Sequence, residues 1–256
     1  MTTLRVAAVQ HDIAWEQPGT NYDRLASRIE GAANASARLV LLSEMFATGF
    51  SMAAERIAED EGGATSAFLA AQAKAHDVWV GGSVPERRNE DGRPANVFVL
   101  AGPDGTTRRF AKLHPFSYAG EHEHYAAGTE VVTWDVDGVR VTPFVCYDLR
   151  FADEFWRAAH GTDCYAVVAN WPAARRVHWQ TLLRARAIEN QAYVVGVNRV
   201  GEGDGLAYAG DSAVIDPLGE VLASAAGTET TLVVDVDTAV VERVRRELPF
   251  LPDRRS

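Results

Sequence analysis

Cysteine is scarce in this chain: its 256 residues contain only Cys146 and Cys164. A disulfide framework is therefore not what holds it together, and both thiols read as free in a reducing cytoplasm. Positive charge is also in short supply. Lys and Arg number 25 against 35 Asp and Glu, a net charge of −10, and basic residues adjoin only at Arg108-Arg109, Arg175-Arg176 and the tail. That balance argues against a nucleic-acid partner. No apolar run approaches the about 18 residues of a membrane span. The opening Met1-Thr-Thr-Leu-Arg-Val-Ala-Ala-Val-Gln-His lacks the basic and apolar regions of a signal peptide. HExxH and CxxC patterns are missing, so no regular metal site is spelled out and no metal or other cofactor is expected. Linkers, low-complexity segments and repeats are missing too. The simplest organisation is one domain over 1–256, with a core over about 4–236 and a C-terminal helix and tail over 237–256.

What is present is an ordinary globular composition, 47% hydrophobic and 23% charged. Leu4–Gln10, Arg38–Leu42, Val78–Val80, Val97–Leu100, Thr107–Ala111, Val131–Val136 and Val139–Val145 read as strands. So do Cys164–Ala169, Tyr193–Asn198, Ser212–Ile215, Val221–Ser224 and Thr231–Val236. Helical spacing appears over Asn21–Ala35, Gly63–His76 (capped by Thr65 or Ser66), Phe151–His160, Arg175–Gln191 (the longest) and Asp237–Leu248. In the long helix Trp179, Leu182, Leu183 and Ile188 are expected to face inward. Turns are expected at Asn89–Pro94, Pro103–Gly105 and Asp137-Gly138, and residues 113–130 are irregular. Alternation of strands and helices argues α/β, but the surplus of successive strands, about eleven strands to five helices, argues against a plain doubly wound sheet.

Three strands end on chemically loaded residues: Leu42 runs into Glu44, Phe110 into Lys112 and Val145 into Cys146. Cys146 also stands just before a helix-like stretch, where backbone N–H groups favour negative charge. A carboxylate, an ammonium and a thiol at equivalent strand ends form the kit for amide hydrolysis. The base takes the thiol proton, the thiolate attacks, and the cation holds the oxyanion. Taken singly, each residue has a plainer reading: a capping carboxylate, a surface lysine and a buried thiol.

Leu41-Leu-Ser-Glu-Met-Phe46, Arg109-Phe-Ala-Lys-Leu-His114 and Phe144-Val-Cys-Tyr-Asp-Leu-Arg-Phe151 resemble, in order and separation, the signature stretches of the nitrilase, or carbon–nitrogen hydrolase, superfamily. The resemblance extends from Val6 to Asp235. It implies a four-layer αββα sandwich of two mixed sheets, and a catalytic triad of Glu44, Lys112 and Cys146. It also implies a second glutamate, matched to Glu121 with Glu123 as the competing choice, and the Tyr147 backbone N–H as a second oxyanion donor. Two carboxylates would keep Lys112 charged, and ammonium and helix N-terminus would ease formation of the Cys146 thiolate. In the implied mechanism Glu44 deprotonates Cys146, protonates departing ammonia and activates the water that cleaves a thioester. None of the seven histidines is needed as the base.

Further stretches, including His122-x-His124-Tyr125, Asn170-Trp-Pro172, Asn198-Arg-Val-Gly201 and Gly210–Glu220, resemble the bacterial omega-amidase branch, which releases ammonia from 2-oxoglutaramate and 2-oxosuccinamate. The resemblance thus implies a small-molecule amide substrate. Arg175 or Arg176 can supply a cation for its distal carboxylate, with Asn170 alongside; Phe46, Phe116 and Trp171 are candidate pocket walls. Asp148 and Arg150 read as pins for the helix after Cys146. Arg186 and Glu189 are spaced as an ion pair, either on the surface or as an anchor under the site. The family also implies a homodimer or higher homo-oligomer, for which an exposed Trp156 or Trp179 would fit. The rivals are a metal hydrolase built on His114, His122, His124, Glu121 and Glu123, and a binding protein on the same fold. Within the enzymes, the rivals are deaminated-glutathione amidases, aliphatic amidases, nitrile hydrolases and N-carbamoyl hydrolases, which share the triad.

Overall fold

The structure, a computed structural model, describes residues 2–87 and 92–254. Of the turn expected at Asn89–Pro94, residues 89–91 lie outside them, and Pro94 opens a strand. The strands are β1 (Thr3–Gln10), β2 (Leu39–Leu41), β3 (Trp79–Arg87), β4 (Pro94–Ala101), β5 (Thr107–Ala111), β6 (Trp134–Val136), β7 (Val139–Val145), β8 (Cys164–Ala169), β9 (Tyr193–Asn198), β10 (Val200–Gly203), β11 (Leu206–Ile215), β12 (Val221–Ala226) and β13 (Thr230–Asp237). The helices are α1 (Pro18–Asn34), α2 (Ala54–Ile57), α3 (Ala64–His76), α4 (Glu121–His124), α5 (Ala152–Ala158), α6 (Arg176–Asn190) and α7 (Thr238–Glu247).

They build two mixed sheets. The first runs β13-β1-β2-β3-β4-β5, with β1, β2 and β3 parallel and the rest antiparallel. The second runs β10-β11-β9-β8-β7-β6, with β7, β8 and β9 parallel and β12 added beside β11. The αββα sandwich expected from the resemblance is what the chain forms. Side-chain alternation along a strand explains the layering. Val6 and Ala8 of β1 and Leu39 and Leu41 of β2 join one core with Phe110, Phe144, Val145 and Tyr165, between the sheets. Their neighbours Ala7, Val9, Val40 and Leu42 face the other way and pack with Leu25 and Ile29 of α1 and Leu69 and Ala73 of α3. Both faces of these strands are covered, so their sequence is continuously apolar rather than alternating. On the far side, Phe155 of α5 and Trp179 and Leu183 of α6 close the second sheet.

Several boundaries differ from the sequence expectation for identifiable reasons. β3 continues through Gly81 and Gly82 to Arg87. A Cβ on Gly82 would lie 2.8 Å from the Phe46 ring, so these glycines mark close packing rather than a break. β10 was not expected, because its glycine-bearing stretch Val200-Gly-Glu-Gly203 carries little strand signal. Among the described residues the longest helix is α1, at 17 residues, not α6, at 15. Ile188 of α6 faces solvent. The start of α3 is capped neither by Thr65 nor by Ser66: the Glu59 carboxylate accepts from the Thr65 N–H at 2.7 Å and from its hydroxyl at 2.7 Å. Cys146 and Cys164 are both free, and Cys164 is buried core as expected. No helix among the described residues is long and apolar enough to cross a membrane.

At the end of β1, His11 is fully buried, with Nδ1 3.3 Å from the Val9 carbonyl. Burial, aided by Arg199 and Arg28, lowers it from the usual 6.5 to about 4. Its folded value lies below its unfolded value. The stabilisation is therefore complete above pH 6.5 and is lost as pH falls toward 4, amounting to about 3 kcal/mol. Urea titrations between those limits should show a shallower loss of stability for His11→Gln than for the native chain. Parallel pH slopes would refute the burial argument.

Candidate active site

The carboxyl ends of β2, β5, β7 and β8 meet where the two sheets face one another. Glu44 follows β2, Lys112 follows β5, Cys146 follows β7 and Asn170 follows β8. Local devices hold each one. The Ser83 hydroxyl accepts from the Met45 N–H at 2.8 Å, fixing the turn after Glu44. Lys112 is held through its backbone: its N–H donates to the Asn96 carbonyl at 2.9 Å, and its carbonyl accepts from the Gly128 N–H at 2.8 Å. A Cβ on Gly128 would sit 2.2 Å from the Ala111 carbonyl oxygen, so only glycine lets the two segments approach this closely.

Four fully buried side chains form the polar centre. Lys112 Nζ donates to Glu44 Oε1 at 2.9 Å and to Glu121 Oε2 and Oε1 at 2.7 and 3.0 Å. Asn96 Nδ2 donates to Glu44 Oε1 at 2.8 Å and Glu121 Oε1 at 3.2 Å. The Phe116 N–H donates to Glu121 Oε2, and the Asn170 N–H to Glu44 Oε2 at 2.8 Å. Burial works against the charge on Lys112, but Glu121, Glu44 and Cys146 outweigh it and hold the ammonium well above the ordinary lysine range. Burial, together with Glu44, raises Glu121, and Lys112 opposes that rise. Glu123 is exposed, so of the two candidates it is Glu121 that meets the lysine.

Cys146 sits at the head of a short 3-10 turn, Cys146–Arg150, with φ of 47°. The left-handed backbone is costly for a residue with a side chain and is held by its surroundings. Buried Asp148 accepts from the Val145 N–H at 3.1 Å and from the His114 N–H at 2.8 Å, tying this turn to the segment after Lys112. Buried Arg186 donates twice to the Leu149 carbonyl, at 3.1 and 2.7 Å, and pairs with Glu189 at 2.8 Å. It is an anchor under the turn rather than a surface pair. The α-helix begins at Ala152, beside the expected Phe151, so what starts at the thiol is the 3-10 turn and not an α-helix N-terminus. Glu44 lies close enough to act directly on the thiol. Burial, then Glu44, drive it well above the usual cysteine range, and Lys112 only partly offsets them. A resting thiolate is therefore not favoured: Lys112 eases ionisation, as expected, but burial and Glu44 outweigh it. The arrangement is a protonated thiol beside a carboxylate that can take its proton.

Cys146 opens into a pocket of about 100 Å³, which suits a short linear ligand. Tyr147, Phe116, Asn170, Trp171 and Arg175 line it, as the sequence suggests. Phe46 does not: it is fully buried in the outer core against Gly82, with Phe68 6.3 Å away. Arg176 is also elsewhere, paired with Asp211 at 2.7 Å. Arg175 lies 5.4 Å over the Phe116 ring and makes no ion pair among the described residues. Arg150, read as a helix pin, instead stacks 4.8 Å over Trp171 in the pocket wall. Trp179 is fully buried, its indole N–H donating to the Asp211 carbonyl at 2.8 Å. His114 bonds to Asp148, whereas His122 and His124 are exposed, and no group of three or more His, Cys, Asp or Glu among the described residues is placed to hold a metal. Sequence reasoning missed Asn96 and Tyr208. A polar residue inside the otherwise apolar run Pro94–Ala101 was the available signal for Asn96.

Two face-to-face mixed sheets, with thiol, ammonium and carboxylates gathered at adjoining strand ends, define the class: a hydrolase of carbon–nitrogen bonds other than peptide bonds. Comparison with known proteins agrees, since residues 5–246 match the model of the carbon-nitrogen hydrolases. The chain belongs to the carbon–nitrogen hydrolase family. It is 41% identical to "Omega-amidase YafV" of Yersinia enterocolitica over 99% of this chain and 97% of that one. It is 33% identical to "2-oxoglutaramate amidase" of Bacillus subtilis (strain 168), over 98% and 97%. Among solved structures, XC1258 of Xanthomonas campestris, a CN-hydrolase superfamily protein with an arsenic adduct in its active site, superposes with a TM-score of 0.94. It is 38% identical and covers 100% of this chain and 98% of its own.

Removing the cation should expose how the centre is held. Lys112→Met leaves two buried carboxylates without their cation and should cost about 3–5 kcal/mol in urea unfolding. Adding Glu121→Gln should return a large part of that stability without returning activity. If the double variant is no more stable than the single one, the two groups do not share one charge balance.

Proposed function

We propose that the chain is an omega-amidase. It hydrolyses the terminal amide of a short 2-oxo acid such as 2-oxoglutaramate or 2-oxosuccinamate, giving the 2-oxo dicarboxylate and ammonia. The observation that carries this reading is the pocket that joins the thiol of Cys146, beside Glu44, to the guanidinium of Arg175, which makes no ion pair among the described residues. One end can cleave an amide and the other can pair with a distal carboxylate. The relatives named for omega-amidase and 2-oxoglutaramate amidase support the same substrate class.

In the proposed reaction Glu44 takes the Cys146 proton as the sulfur attacks the amide carbon. The oxyanion is held by the backbone N–H of Tyr147 and by the positive charge of the buried Lys112 ammonium. Glu121 keeps Lys112 charged and aimed. Glu44 returns its proton to the nitrogen, ammonia leaves, and a thioester remains on Cys146. Water, deprotonated by Glu44, attacks the thioester; collapse expels the sulfur, which recovers its proton from Glu44. Asn170 holds Glu44 from the neighbouring strand end, while Trp171 and Phe116 form apolar walls. The same reading makes the protein a cytoplasmic homodimer. Trp156 on α5 and Val177 and Ile188 on α6 support an interface there, being 43%, 66% and 44% exposed.

Ammonia release should be measured on 2-oxoglutaramate, deaminated glutathione, an aliphatic amide, a nitrile and an N-carbamoyl amino acid. The largest kcat/KM is expected for 2-oxoglutaramate; no preference for it would sink the substrate assignment and leave the chemistry standing. Cys146→Ala should fold normally and release no ammonia from any of them. Arg175→Met should raise KM for 2-oxoglutaramate at least about tenfold, the loss of one charge-assisted contact, with little change for the aliphatic amide. An equal effect on both would remove Arg175 from carboxylate binding.

A further inference from the structure

The hairpin formed by β10 and β11 contributes Asp204, Leu206 and Tyr208 to the same pocket as Cys146. Tyr208 is the informative one. Its residue is only 5% exposed, and its register partner Gly201 lies on the adjoining strand. One ring face is fixed by the Arg199 guanidinium, 4.5 Å from the centroid. Arg199 is itself fully buried and immobilised: it donates to Asp12 at 2.8 Å and to the Glu202 carbonyl at 2.8 Å. The ring is therefore clamped, while its hydroxyl has no hydrogen-bond partner among the described residues. A phenol placed this deeply normally finds one. In the pocket it shares with Cys146 a ligand atom can supply it.

The electrostatic setting narrows what it can do there. Burial, opposed by Arg199 and reinforced by Glu44, by Asp204 and by Cys146 once it ionises, pushes the phenol up to about 12. It stays protonated throughout the working range and is a neutral donor, not a base. A neutral donor beside a pocket that also holds Arg150 and Arg175 matches an oxygen-rich ligand end rather than an ammonium.

We propose that Tyr208 is a specificity-determining residue whose hydroxyl donates a hydrogen bond to the 2-oxo acid end of the substrate, with Arg199 as its positioning residue. The proposal rests on the omega-amidase reading and deepens it. No proton is transferred and no bond to the substrate is made by Tyr208.

Tyr208→Phe removes only the hydroxyl and keeps the ring on Arg199, so the fold is not at risk. Steady-state ammonia release should be measured for the native chain and the variant on 2-oxoglutaramate and on butyramide, which has the amide but no acid end. For the variant, KM for 2-oxoglutaramate should rise about tenfold with kcat within about twofold, and kcat/KM for butyramide should be unchanged. A fall in kcat of similar size on both amides would overturn the proposal, because the hydroxyl would then serve the oxyanion. Unchanged constants on both would overturn it as well. A native chain with no preference for 2-oxoglutaramate over butyramide would remove the omega-amidase reading first and this proposal with it. A preference kept by the native chain and by the variant alike would remove this proposal alone.

Discussion

One buried ammonium, that of Lys112, organises the junction of the two sheets. Alone, such a charge in a dry interior costs several kcal/mol, and the molecule answers with two carboxylates rather than one. That leaves an excess of negative charge, which is spread over donors that carry no net charge: both N–H bonds of the Asn96 amide and the backbone N–H groups of Phe116 and Asn170. The segments after β2, β5 and β8, the strand β4 and the short helix α4 are thereby drawn onto one point. None of these segments can shift without exposing a charge to a partnerless interior. The centre is therefore held rigid before any ligand arrives, which is the condition under which fixed dipoles stabilise a developing charge most effectively.

The same charge balance explains why the thiol rests protonated. Ionising Cys146 to solvent would add a further negative charge beside Glu44 and Glu121, and Lys112 is too committed to offset it fully. Passing the proton to Glu44 instead leaves the total charge of the cluster unchanged. In the proposed reaction nucleophile and base thus act as one unit, and the anion need exist only as the bond to carbon forms. A helix N-terminus would have favoured a standing thiolate. The 3-10 turn at Cys146–Arg150, with its left-handed first residue, supplies geometry in place of that field.

How much of this was legible follows from which signals are local. Glu44, Lys112 and Cys146 could be placed at strand ends because each follows an apolar run whose end is visible. The sandwich itself came through the family resemblance, since a strand that is apolar on both faces says nothing about which sheet it joins. Phe46 was misplaced because an aromatic near a motif looks the same whether it faces the pocket or, as it does, Gly82 on the outer side of the first sheet. Asn96, remote in sequence from every motif, joins the centre only through the β3–β4–β5 meander. Arg175 and Arg176 are neighbours with opposite fates, one over Phe116 and one on Asp211, because the chain turns from 3-10 to α-helix between them. No spacing rule separates two adjacent arginines at a helix start.

The pocket shows a division of labour that follows from burial. The groups proposed to assist Cys146, Glu44, Lys112 and Glu121, are fully enclosed and joined through the lysine, so altering any one disturbs all. The groups proposed for recognition are mounted separately: Arg175 on the 3-10 turn after β8, and Tyr208 on the β10–β11 hairpin. Neither bonds to the charged centre. Changes there alter what is bound without changing the charge balance that Lys112 needs, so one rigid hydrolytic centre can serve different amides as its outer wall varies. Two short stretches link the two sets: Phe116, whose N–H donates to Glu121 while Arg175 lies over its ring, and Asn170-Trp171. Asn170 grips Glu44, and Trp171 donates its indole N–H to the Arg175 carbonyl at 2.9 Å. The Arg175 end is therefore connected, through short stretches of backbone, to Glu44, the carboxylate proposed to move the proton, and to Glu121.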